Sequence, residues 1–282
     1  MLKKGLVLAA ILLPLVAIIT LKTPVKSLIL PEQKPIVSPI AKTTPAILPA
    51  STSITATLTP TKKPPAKLTK STYSIALIGD SMVDTMGENL EYLDRSLKGK
   101  YETTSFKLYN YGIGAQNVEM GLERLNSPFT NRERNYPPIT QINADIIIIG
   151  SFSYNPFDPH NPQKHKDLLG QMIEETKKYA SQVYVLVEIA PLGKTFGKGT
   201  NGVNLPEDKA EEHALRIIEQ LNDTIEIARE RNVGIINVFS STQVDPQGFG
   251  NKLYVDGNDG IHPSPAGHQL MADFIVAGVK LK

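Results

Sequence analysis

Ser81 closes the stretch ALIGDS at 76–81, an apolar run that ends in Gly-Asp-Ser. A serine hydroxyl is a poor nucleophile at neutral pH. It needs a neutral imidazole to take its proton, and the imidazole needs an acceptor that fixes its tautomer and stabilises its cation. Residues 259–263 read Asp-Gly-Ile-His-Pro. Asp259 and His262, three apart on a turn before a helix, can supply both. Taken singly, each piece has a plainer reading: Gly-Asp-Ser as a helix cap, His262 as a surface histidine. Together, at opposite ends of one α/β unit, they point to nucleophilic chemistry at a carbonyl.

Other reactive residues point elsewhere or nowhere. The pentad GDSMV lacks the second glycine of the G-x-S-x-G elbow, which argues against the ordinary α/β-hydrolase arrangement. His160 and His165 fall in a polar stretch with no acidic pair at metal-ligand spacing, so no metal is expected. Asp84 has no evident carboxylate partner for glycosidase chemistry, and with Asp80 is expected to satisfy turn and helix-start amides. His213 reads as solvent-exposed and His268 as a brace for the last helix. The segment 193–205, GKTFGKGTNGVNL, fits no phosphate loop and is expected to be a flexible cover over the site.

The elements that would position Ser81 and His262 follow from hydrophobic periodicity. Buried strands are expected at 73–79, 105–111, 144–150, 183–189 and 233–239. The third, ADIIIIG, is the clearest, with four β-branched residues closed by a glycine. Helical patterns lie at 86–98, from 117 to 125, at 164–180 and at 207–231. A last helix opens at Ser264-Pro265, an N-cap followed by proline at the first helical position. Alternating strands and helices with fully apolar strands predict a parallel sheet covered on both faces. Its functional residues belong at the C-terminal ends of strands, where Ser81 falls.

Composition divides the chain into three parts. Residues 5–21 are an uncharged apolar run behind Lys3 and Lys4. The run is at the short end for a membrane span. No small-x-small cleavage site follows closely, so 1–21 is read as an uncleaved anchor, with a signal segment as the alternative. Residues 22–70 hold nine prolines and eight lysines against the single acid Glu32. Such a segment stays extended and cannot bury enough apolar area to fold. Residues 71–282 have the composition of one globular domain. Two lysines in the anchor and the basic linker leave this domain at −7 in a chain of net +2. An acidic domain argues against nucleic acid as a partner. The absence of cysteine excludes disulfides and a lipid-modified N-terminal cysteine.

Four segments in order, IGDSM at 78–82, NYGIGA at 110–115, IIIIG at 146–150 and DGIHPSPAGH at 259–268, resemble the SGNH hydrolases, also called the GDSL family. The resemblance spans essentially all of residues 71–282. It implies a three-layer α/β/α fold with a flavodoxin-like, parallel five-stranded sheet. It also implies an ester hydrolase with Ser81 as nucleophile, His262 as general base and acid, and Asp259 orienting His262. The family's second block offers a glycine amide to the oxyanion hole. Here that place falls at Ala115, with Gly114 just before it. The third block is usually G-x-N-D, whereas this chain continues GSFSYNPFD. Asn155, displaced by several residues, is the nearest donor, with Ser153 as a substitute. Ser81's own amide is the first donor in either case.

These readings converge on an extracytoplasmic, membrane-anchored serine esterase. An acylated glycan, as an O-acetyl ester on a surface or wall polysaccharide, is the expected substrate. A silent glycan-binding domain, an acyltransferase and a lipid esterase remain as alternatives built on the same serine. The chemistry calls for no cofactor.

Overall fold

The computed structural model describes residues 68–281. The expected anchor and nearly all of the expected linker lie outside the described residues. Within them, no helix is long and apolar enough to cross a membrane.

The chain runs β1 (Thr72–Gly79), α1 (Ser81–Asp84), α2 (Glu91–Lys100), β2 (Ser105–Gly112) and α3 (Val118–Glu123). A small hairpin follows, β3 (Phe129–Asn131) and β4 (Arg134–Tyr136), then β5 (Ile146–Gly150) and α4 (Pro162–Thr176). The remainder is β6 (Gln182–Val187), α5 (Glu207–Glu230), β7 (Gly234–Asn237), α6 (Phe239–Thr242) and α7 (Pro265–Gly278).

Five strands form one sheet in the order β2-β1-β5-β6-β7, every neighbouring pair parallel. This is the flavodoxin-like order, with the chain reversing direction across the sheet between β1 and β5. Alternation along the strands explains the layers. Ile75, Leu77, Ile146 and Ile148 share a cluster with α2 and α7, while Ala76, Ile78, Ile147 and Ile149 share one with α3 and α4. Both sets are fully buried, which is why these strands read as continuous apolar runs. Helix α5 packs beside α4 and against β6 and β7.

The five expected strands are all present, within two residues at most ends. The helices are shifted more. The expected helix at 86–98 begins only at Glu91, as α2, because Gly87 takes φ +100° and Leu90 φ +54°; the four-residue α1 comes before it and was not expected. Helix α4 starts and stops earlier than expected, at an Asn161 cap that accepts from the Lys164 amide at 2.9 Å. Helix α7 begins as expected, with Ser264 Oγ accepting from the Gly267 amide at 3.1 Å and Pro265 at its first position.

Candidate active site

The chain leaves β1 at Gly79 and turns at once. Asp80 Oδ1 accepts from the Met82 amide at 2.9 Å, which caps α1 and places Ser81 at its first position. The expectation for Asp80 therefore holds. Its other oxygen, Oδ2, accepts from Asn155 Nδ2 at 2.9 Å. Asn155 stands beyond the C-terminal end of β5, on a turn through Phe152 at φ +56°. The two strands that flank the reversal in the sheet thus deliver Ser81 and Asn155 to the same place.

The second block arrives from β2. Asn110 is wholly buried and ties this strand to the α1 turn. Its Nδ2 donates to Gly87 O at 2.8 Å and Val83 O at 3.1 Å, and its Oδ1 accepts from the Gly112 amide at 2.8 Å. Gly114 lies against the Ser81 turn: a Cβ there would stand 3.9 Å from Ser81 Cβ. Ala115 takes φ +59°. It adopts the left-handed backbone that glycine would adopt without strain.

Asp259 and His262 sit on a loop closed by an antiparallel bridge between Val255 and Pro263. His262 Nδ1–H donates to Asp259 Oδ2 at 2.7 Å. Asp259 Oδ1 accepts from the amides of Ile261 at 2.7 Å and His262 at 2.9 Å. Burial pushes the Asp259 carboxyl up, but these hydrogen bonds outweigh it and hold the carboxyl below its ordinary value. With Nδ1 engaged, Nε2 is the imidazole nitrogen left for the cleft.

A cleft of about 800 Å3 joins these pieces. Ser81, Gly114, Ala115, Asn155 and His262 all line it, and Asp259 stands behind His262. Among the described residues no hydrogen bond joins Ser81 Oγ to His262. One wall is apolar, made by Tyr154, Phe196, Val203, Leu205 and Ile261. The other carries Asp84, Thr85, Asn117 and Arg132.

Several expectations need correction. Ser153 does not line the cleft; it is fully buried and its amide donates to Ser151 Oγ at 3.1 Å. Asp84 binds arginines rather than helix-start amides. It is paired with the buried Arg134, accepts from Asn131 Nδ2 at 3.2 Å, and lies 3.5 Å from Arg132. His213 is not a plain surface residue. It lines the cleft against the Phe196 ring, 5.2 Å between centroids, and burial lowers its basicity. His165 lies in α4, buried, with Nε2 2.8 Å from Ser151 O, and burial lowers its pKa to about 4. His160 pairs with Glu219 at 2.7 Å. No cluster of metal-ligand side chains occurs among the described residues. His268 does brace α7, stacking on Tyr92 of α2 at 5.4 Å.

The segment 193–205 is also different from the expected flexible cover. Phe196, Val203 and Leu205 line the cleft, but the backbone is bound to the Asp259–His262 loop. The Gly197 amide donates to Gly260 O at 2.9 Å and the Asn201 amide to Asn258 O at 2.8 Å. Asn204 Nδ2 donates to the carbonyls of Gly199 and Gly202, both at 2.9 Å. The segment is a brace for the histidine loop and a wall of the cleft.

Sequence reasoning missed Arg134, Arg132 and the carboxyl of Glu188. The arginines gave no periodic signal. Glu188 did: an acid at the end of the apolar run VYVLV is out of place unless something buried meets it.

A parallel five-stranded α/β/α sheet with a Gly-Asp-Ser turn at its reversal and a His-Asp loop across the cleft defines the class of protein. Comparison with known families and structures gives the same answer. The model for the GDSL-like lipase/acylhydrolase family matches residues 75–275. Among solved structures, a lipase/acylhydrolase from Enterococcus faecalis is 19% identical over 73% of this chain and 94% of its own, with a TM-score of 0.53. A GDSL-like lipase from Bacteroides thetaiotaomicron is 13% identical, covering 73% of this chain and 86% of its own, at 0.51. An acetylxylan esterase from Geobacillus stearothermophilus is 17% identical, covering 73% and 93%, at 0.50. No curated protein sequence matches the chain. The chain belongs to the GDSL-like lipase/acylhydrolase family and is a serine ester hydrolase of the SGNH type.

Proposed function

We propose that the protein hydrolyses O-acetyl esters on a cell-surface or wall polysaccharide through a Ser81–His262–Asp259 triad. The observation that carries this reading is the 2.7 Å His262–Asp259 hydrogen bond on the cleft that Ser81 also lines. Ser81 Oγ attacks the ester carbonyl carbon while His262 Nε2 takes its proton. The amides of Ser81 and Ala115, with Gly114 beside them, and one Nδ2–H of Asn155 face the oxygen that gains charge. The other Nδ2–H of Asn155 stays on Asp80, which fixes the amide plane. Collapse releases the alcohol, protonated by His262, and leaves an acyl-enzyme. Water then attacks the acyl carbon and gives its proton to His262; collapse breaks the bond to Oγ, returns that proton to Ser81 and releases acetic acid, which ionises. Asp259 stays ionised throughout and stabilises the imidazolium.

The glycan part of the reading rests on the polar wall of the cleft, where Asp84, Asn117 and Arg132 offer acceptors and donors to hydroxyls. The basic, proline-rich stalk and the apolar N-terminal run support a domain held outside the membrane. The apolar wall favours a second reading, an esterase for longer acyl chains. A series of aryl esters from acetyl upward, beside acetylated xylan and acetylated peptidoglycan, separates the two. The proposal expects kcat/KM to be highest for acetyl and release of acetate from a polymer. A rise in kcat/KM with chain length and no polymer deacetylation would replace it with the second reading.

A further inference from the structure

Glu188 takes no part in the chemistry above, yet it is one of the most deliberately held groups in the domain. It follows β6 directly and is completely buried. Oε1 accepts from the Ser151 amide at 2.9 Å, and Ser151 Oγ donates to Oε2 at 2.5 Å. Gly150 makes the room, since a Cβ there would stand 2.8 Å from Oε1. Ser151 opens the turn that stands in place of the usual G-x-N-D block. The Ser153 amide donates to Ser151 Oγ at 3.1 Å, and the Asn155 amide to Phe152 O at 3.4 Å. A residue such as Phe152, held at positive φ, persists only where its neighbours over-determine it. Glu188 grips the turn from β6, His165 from α4, and Asp80 holds its far end at Asn155.

We propose that Glu188 is a positioning residue for ester hydrolysis: by fixing the amide and the hydroxyl of Ser151 it sets the turn that brings the Asn155 amide to the cleft. This inference rests on the reading of Asn155 as an oxyanion donor.

The pair Glu188 and Asp80 also sets a pH range. Burial, then the charge of Asp80, pushes Glu188 up to about 8. Burial also raises Asp80, to about 6, against hydrogen bonds from Met82 and Asn155. The protons belong to the pair rather than to either residue. The other groups facing it are Tyr154 and Ser151 on the turn and His165 on α4, with Arg124 and His262 near Asp80. Both hydrogen bonds from Ser151 favour the ionised carboxylate, so the hold on the turn tightens as Glu188 loses its proton.

The test is kcat and KM for an acetyl ester from about pH 6 to 9, on the full chain. The variants are Glu188→Gln, Glu188→Ala, Asn155→Ala and the double alanine. Gln keeps the size of the side chain but offers Ser151 one acceptor where Glu188 offers two. It should lower kcat less than Glu188→Ala, by about threefold, with KM little changed. Glu188→Ala should lower kcat on the order of tenfold or more with KM little changed. Combined with Asn155→Ala, it should cost little beyond the single Asn155 loss. A Glu188→Ala variant with wild-type kcat, or alanine losses that multiply, would overturn the proposal. If Glu188→Ala fails to fold, Glu188→Gln takes its place in the same cycle with Asn155→Ala. An Asn155→Ala variant with full activity would instead remove the oxyanion reading on which the inference stands.

Discussion

The serine and histidine were legible as residues because their chemistry restricts which side chains can serve. A serine nucleophile needs an imidazole and an acceptor, and only Asp259 and His262 offered both in a fixed spacing. Asn155 was legible more faintly, as a displaced amide. The structure puts it 2.9 Å from Asp80, where its remaining N–H can reach the cleft. Replacing Asn155 with alanine should lower kcat about a hundredfold with a small change in KM, read from steady-state kinetics on an acetyl ester. Ala115 is a different case. Its φ of +59° strains an L-residue, so Ala115→Gly should raise stability by about 0.5–1 kcal/mol in denaturant melts and leave activity in place. A loss of activity there would show that the methyl group matters to the cleft. What the sequence could not convey was partnership. Asp84 finds Arg134 some fifty residues away only because a hairpin returns over the Ser81 turn.

At the level of elements, the strands were read well because a parallel sheet buried on both faces leaves a continuous apolar run. The short pieces were read poorly. Helix α1 has only four residues, and the β3–β4 hairpin pairs Phe-Thr-Asn with Arg-Asn-Tyr, which carries no alternating pattern. The segment 193–205 looked mobile because it is rich in glycine. In the fold its glycines allow backbone to pack on backbone instead. Gly260 shows why: it takes φ +69°, and a Cβ there would stand 2.6 Å from Lys198 O. Gly260→Ala should therefore displace the Asp259–His262 loop. We expect a loss of about 2 kcal/mol or more in stability and a fall in kcat exceeding what that loss explains. Thermal melts and kinetics at a temperature where the variant is folded would check both. An unchanged kcat in the folded variant would mean the brace does not position His262.

For the whole molecule, the sheet order explains why distant segments converge. The reversal between β1 and β5 opens a crevice at their C-terminal ends, and the loop after the last sheet strand closes it with His262. That arrangement buries the carboxyls of Asp80, Asp84 and Glu188, and for Glu188 the linkage has a definite sign. Glu188 is raised from 4.5 to about 8, so the folded state holds a proton that the unfolded chain releases. The stability tied to that proton is full below pH 4.5 and is lost as pH rises towards about 8. Glu188→Gln removes the dependence. Relative to wild type, the variant should therefore gain stability between pH 5 and pH 8. Urea unfolding at both pH values tests this, and equal gaps at both would contradict it. The domain's acidity and the stalk's basicity were plain from composition, whereas these buried carboxyls were not.

The most direct test of the central claim is labelling of the full chain with a fluorophosphonate probe, beside Ser81→Ala, with the modified peptide mapped by mass spectrometry. The account predicts a single phosphonylated residue, Ser81, and no labelling of the variant. A well-folded wild type that stays unlabelled, or a label that survives in Ser81→Ala, would contradict it.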